Sequence, residues 1–236
     1  MDFSIRKLMP HIYHLDFGTQ YDLTMHFLRA QEYYESPKFY KTIFSIVDYM
    51  EWYSKLHGKG SFSYARDWSG FNTPSWALTA VYNSETYLPD RNRYDKLMGT
   101  LVEQIRYEED DHAFYFIGTF AGGGINKKGE ADDILGHEIA HAFYTVNSEY
   151  REKVDELLNT RYSSGDEYGG YEEIEPDPAA EVLIGMGYHS STIQDEIHAY
   201  CATGLCEKLE GAITKKEMKP FQKLFKEYQK KCQKSK

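Results

Sequence analysis

The chain has 236 residues, enough for one substantial core or for two lobes that share a cleft, and length alone favours a single domain. A formal net charge of −10, from 37 acidic against 27 basic side chains, gives no electrostatic support for binding nucleic acid or acidic lipid. No stretch approaches the roughly eighteen apolar residues of a membrane span, and Met1 to Gln20 lacks a continuous apolar run, so neither span nor signal peptide is expected and the default compartment is cytoplasmic.

After an irregular start, Leu23, Met25 and Phe27 alternate with polar residues, which predicts a short strand. His11 and His14 follow Pro10 with no apolar stripe around them and read as surface histidines. Ser36-Pro37 has the form of a helix opening, with Ile43, Phe44, Val47 and Met50 as its apolar face and Gly58 as its end. From Gly58 to Tyr82 the text turns to Gly, Ser and aromatics. Phe62 and Tyr64 alternate as in a strand, and Asp67 to Pro74 reads as an ordered loop in which Trp68 and Phe71 serve as packing anchors rather than as a substrate rim.

Tyr94, Leu97, Met98, Leu101, Val102 and Ile105 recur at spacings of three and four, which predicts a long amphipathic helix. Ala113 to Phe120 follows as an aromatic strand, and Gly122-Gly123-Gly124 then breaks the chain. No Gly-Lys-Ser/Thr follows those glycines, so they predict a turn and not a phosphate loop.

The next stretch, Ile134 to Phe143, contains His137-Glu138-x-x-His141. A chain with 9 His and 22 Glu in 236 residues would contain such a window by chance about three times in a hundred, so context matters. Ile134, Leu135, Ile139, Ala142, Phe143 and Val146 form one apolar stripe, and Asp132 and Asp133 suit the first turn of a helix, where the dipole favours carboxylates. Residues four apart on a helix lie only about 40° out of line, so His137 and His141 can turn their imidazoles to one metal ion. Zinc takes such nitrogens at about 2.0–2.1 Å and needs a third protein ligand and an open position for water, whose proton Glu138 would accept.

Between Ser163 and Gly187 carboxylates dominate: Asp166, Glu167, Glu172, Glu173, Glu175, Asp177 and Glu181 read as a solvated acidic loop whose spacing does not fit a calcium loop. Ser191 with Gln194 forms a capping-box pattern, so a helix should begin there with Ile193, Ile197 and Cys201 on its packed side. Glu196 and His198 stand about 200° apart on that helix, so only one can face the metal. Glu196 shares its side with the small Ala199 and is the expected third ligand, with His198 the alternative. Tyr144, Tyr200 and His189 are candidates to stabilise an oxyanion, and sequence does not choose among them. Cys201, Cys206 and Cys232 are an odd, sparse set without a C-x-x-C pair and fit reduced thiols. Lys215 to Lys236 carries nine lysines against two glutamates, with Phe221, Leu224, Phe225 and Tyr228 at helical spacing, and predicts a terminal amphipathic helix.

Taken together, His137-Glu138-x-x-His141 and the downstream Glu196-x-x-Ala199 resemble the gluzincin-type zincin metallopeptidases, over about Phe114 to Leu205. The resemblance implies an α+β, zincin-like fold forming a single catalytic domain over 1–236. An N-terminal lobe, about 1–146, would hold a small mixed sheet, helices and the active-site helix. A mostly helical lobe, about 147–236, would follow. It further implies that the strand at Phe114 to Phe120 is a sheet edge that pairs with an extended peptide. Two features depart from the family pattern. There are 54 residues between His141 and Glu196, more than compact members need, and Tyr200 stands where an aspartate often supports the first histidine. The expectation is a zinc-dependent peptidase with one Zn2+ on His137, His141 and Glu196, Glu138 as general base, and a peptide or protein as substrate. The alternatives are hydrolysis of a non-peptide amide or ester at the same zinc, or a non-catalytic metal-sensing or interaction protein.

Overall fold

A computed structural model describes residues 3–57, 60–83, 85–120, 130–163 and 177–234. The chain is α+β, with ten α-helices and a four-stranded mixed sheet among the described residues. It divides into two compact units, Met1–Glu138 and Ile139–Lys236, and the division falls inside one helix. Among the described residues no helix is long and apolar enough to cross a membrane, and all three cysteines carry free thiols.

The first unit is built on strands β1 (Phe3–Met9), β2 (Ile12–Phe17), β3 (Gly70–Pro74) and β4 (Tyr115–Phe120), in the order β1-β2-β4-β3. β1 and β2 form an antiparallel hairpin, β2 runs parallel to β4, and β3 is antiparallel to β4. The irregular start is therefore a hairpin. The hairpin buries His14, whose Nδ1 accepts from Arg6 Nε at 3.1 Å and whose Nε2 lies 2.7 Å from Thr119 Oγ1. His14 is thus not the surface residue expected, whereas His11 sits in the connecting turn at φ 62°, 2.6 Å from the Glu109 carboxylate. The strand expected near Phe114 forms as β4, but in the interior of the sheet. The edges are β1 and β3, so the expected peptide-pairing edge is not β4.

Leu23 to Phe27 is helical, not a strand: α1 spans Gln20–Glu35, capped by Thr19, whose hydroxyl accepts from Asp22 N at 3.0 Å. Leu23 and Phe27 satisfy a period of two and a helical spacing of four alike, and it is the continuation through Ala30 that makes them one buried helical face. Ser36-Pro37 ends α1 rather than opening a helix, because the Ser36 hydroxyl accepts from Phe39 N in a turn. Helix α2 starts later, at Ile46–Leu56, with Ser45 as its cap. Its buried face is Ile46, Tyr49 and Tyr53, while Val47 and Met50 are exposed. Two tyrosine rings join Ile46 on that face: Tyr49 packs edge-on to Tyr64, whose phenol donates to the buried Glu32 at 2.6 Å. The Gly58 helix end lies outside the described residues.

Tyr64–Asp67 forms the short helix α3 rather than a strand, and β3 replaces the expected loop. Gly, Asn and Pro disfavour strands, but an edge strand with proline as its last residue tolerates them. Phe71 packs against Phe27 with ring centroids 5.8 Å apart, as an anchor should, whereas Trp68 is exposed. Helix α4 (Ser75–Tyr82) follows, and then α5 (Arg93–Glu108), which matches the long amphipathic pattern and buries Tyr94, Met98, Leu101, Val102 and Ile105.

Helix α6 (Glu130–Val146) leads into the second unit, which holds α7 (Ser148–Ser163), α8 (Pro178–Met186), α9 (Ile193–Thr203) and α10 (Lys215–Lys234). The glycine turn at 122–124, the Asp132 and Asp133 side chains and the acidic residues from Asp166 to Glu175 lie outside what is described. Asp177 is not a loop residue: it caps α8 and pairs with Arg161. The terminal helix buries Phe221, Leu224, Phe225 and Tyr228 as its spacing predicts.

Gly118 on β4 is where α1 rests on the sheet. A Cβ there would lie 2.5 Å from the Phe27 ring and 2.6 Å from Leu23. Gly118→Ala is expected to lower unfolding free energy by about 1–3 kcal/mol in chemical denaturation. Gly18→Ala, with nothing within 4 Å, should change it little; equal effects would contradict this packing.

Candidate metal centre

Helix α6 forms where the apolar stripe predicts it, with Ile139, Ala142 and Phe143 buried. His137 and His141 stand one turn apart on it. Helix α9 begins at Ile193 and buries Ile193, Ile197 and Cys201, but the expected capping box does not form. A 3-10 turn at Ser190–Thr192 precedes the helix, and His189 caps that turn by accepting from Ser191 N at 3.2 Å. The Ser191 hydroxyl is occupied with His189 Nδ1 at 2.8 Å, so it does not cap α9.

His137, His141 and Glu196 form a group that can hold a metal ion, their ligand atoms all within 4.8 Å of one another. His141 and Glu196 are buried and His137 is half-buried. The two ends of the His141 ring face different acids. Nε2 is 3.6 Å from Glu196 Oε1, and Nδ1 is 3.0 Å from Asp195 Oδ2. A proton on Nδ1, donated to Asp195, leaves the Nε2 lone pair aimed at the side where Glu196 stands.

Asp195 holds a second imidazole as well: His198 Nδ1 is 3.3 Å from its other oxygen. His198 Nε2 in turn lies 2.8 Å from the Tyr150 phenol, and its ring stacks on Tyr144 at 5.4 Å. His198, the alternative third ligand, is thus turned to Asp195 and Tyr150. Burial works to raise the Asp195 carboxyl pKa, but the imidazoles of His141 and His198 outweigh it and hold the group at about 2.

Glu138 is buried and belongs, with the sheet, to the first unit. Its Oε2 accepts from the Asn72 amide on β3, and the Asn72 Oδ1 accepts from the Tyr115 phenol on β4. Of the three candidate oxyanion donors, Tyr144 gives its phenol proton to Asp155 Oδ1 at 2.7 Å and His189 is engaged in capping. Tyr200, half-buried, stands one turn beyond Glu196 on α9; burial raises its phenol pKa, and the phenol has hydrogen bonds with Tyr188 and Cys206.

Sequence reasoning missed Asp195 and Asn72. The string Asp195-Glu196-x-His198 held a signal for the first, since i and i+3 on a helix are neighbours. Nothing local marks Asn72, which reaches Glu138 across 66 residues of chain.

Compared with known proteins, the chain matches no family model, no curated protein and no solved structure.

Asp195→Asn keeps the side chain's shape and removes its charge. It is expected to weaken binding of a divalent transition metal by about 10–100-fold, read by competition with a chromophoric chelator. Unchanged affinity would show that Asp195 does not orient His141.

Proposed function

We propose that the chain is a zinc-dependent hydrolase, most specifically a metallopeptidase of the gluzincin kind. The observation that carries this reading is the convergence of two imidazoles from one turn of α6 with a carboxylate from α9, next to Glu138 in the chain. Two nitrogens and one oxygen suit zinc in its catalytic, three-ligand form. Four-coordinate zinc with bonds of about 2.0–2.1 Å separates its ligand atoms by about 3.3–3.4 Å, and His141 Nε2 and Glu196 Oε1, at 3.6 Å, nearly meet that spacing.

Zinc held there would act as a Lewis acid on a carbonyl and lower the pKa of water to about 7. The remaining steps belong to the protein. Glu138 accepts a proton from the attacking water and delivers it to the leaving amine, ending as the carboxylate it began as. Asp195 keeps the His141 ring in one tautomer throughout. Tyr200, one turn beyond Glu196 on the same helix, is the donor assigned to a developing oxyanion. The strand beside Glu138 is β3, an edge of the sheet, and a peptide in extended form would add there by main-chain pairing.

The test is Glu138→Gln in zinc-loaded protein incubated with a mixture of quenched fluorescent peptides. The variant should keep one zinc per chain and lose turnover by about 10²–10⁴-fold. Equal turnover before and after substitution, or no cleavage by the zinc-loaded wild type, would overturn the peptidase reading.

A further inference from the structure

We propose that Asn72 is a positioning residue for Glu138, locked in its working orientation by the Tyr115 hydroxyl. This rests on the hydrolase reading and adds to it the part of the chain that aims the general base.

Strand β3 uses its two faces for different purposes. Phe71 and Thr73 point to α1, where Phe71 packs on Phe27 and the Thr73 hydroxyl lies 3.2 Å from Gln31 Oε1. Gly70 and Asn72, two apart and so on the opposite face, meet α6. At Gly70 a Cβ would lie 2.8 Å from Ile134 Cγ2 and 3.3 Å from Glu138 Oε1. The missing side chain is what lets the Glu138 carboxylate lie against the strand.

Asn72 then takes the other oxygen. An amide can be turned either way round, and only one way offers a donor to a carboxylate. Glu138, which as a carboxylate only accepts, calls for the NH2 end, and the Tyr115 phenol donates to the Asn72 Oδ1 on the other side and holds the amide that way round. Tyr115, Asn72 and Glu138 are all at least nine-tenths buried, at 0%, 6% and 8% exposure, and belong to one unit. In a buried setting a charge-assisted bond of this kind restricts the carboxylate strongly. Asn72 itself neither gains nor loses a proton in the cycle.

The test uses full-length zinc-loaded protein and whichever peptide of the quenched mixture the wild type cleaves best. Asn72→Ala should lower kcat by about 10–100-fold, the scale of a misdirected reacting group, with KM within about twofold and zinc content unchanged. Tyr115→Phe should lower kcat less, and the double variant should be no slower than Asn72→Ala alone, because the phenol acts only through the amide. Asn72→Leu, which keeps the bulk and loses the donor, should be at least as slow as Asn72→Ala and guards against a cavity defect in the smaller variant. An active wild type whose Asn72 variants bind zinc and keep kcat within twofold overturns this inference alone, as do additive losses in the double variant. A zinc-loaded wild type that cleaves none of the peptides overturns the peptidase reading and this inference with it.

Discussion

A single buried carboxylate, that of Asp195, sets the geometry on which the candidate centre depends. It bridges two imidazoles, at 3.0 Å to His141 and 3.3 Å to His198, and each contact answers a different need. Toward His141 it fixes which ring nitrogen carries the proton, and so which nitrogen offers a lone pair beside Glu196. Toward His198 it gains a second partner, without which a charge this deep would be held by one bond alone. Tyr150 and Tyr144 close the other sides of His198, and Tyr150 packs in turn against Phe143 and Tyr228. The position of the His141 ring is therefore tied to an aromatic cluster of α6, α7 and α10, which a local helix geometry would not supply by itself.

Glu138 is held by other means. It is one residue from His137 in the chain, yet its hydrogen-bond partner comes from the sheet, through Asn72 and Tyr115. Two hydrogen-bond networks stand here: Asp195 with His141 and His198, and the Asn72 amide with Tyr115 and Glu138.

What the sequence made legible follows from how local each signal is. α5, α6 and α10 were readable because their apolar residues repeat over several turns, and β4 because Phe114 to Ile117 is an unbroken apolar run rich in aromatics. α1 was misread because Leu23, Met25 and Phe27 fit two periods over too short a window, and β3 because its glycine, asparagine and proline speak against a strand unless its edge position is known. α2 was placed too early because Ser36-Pro37, which closes a turn after α1, has the same form as a helix opening. In the centre, His137 and His141 were fixed by spacing on one helix, and Glu196 by the small residue that shares its side. The pairings of Asp195 with His141 and of Asn72 with Glu138 exist only once α6 meets α9 and β3; the i,i+3 spacing of Asp195 and His198 was the one local trace of the first, and Asn72 had none.

The central claim is that one metal ion is gripped by two imidazoles of α6 and one carboxylate of α9. X-ray absorption at the metal edge of the purified, full-length chain tests it most directly. The account predicts one zinc per chain, about four nitrogen or oxygen neighbours near 2.0–2.1 Å, and outer-shell scattering from two imidazoles. Absence of stoichiometric metal, or a first shell containing sulfur near 2.3 Å, would contradict it.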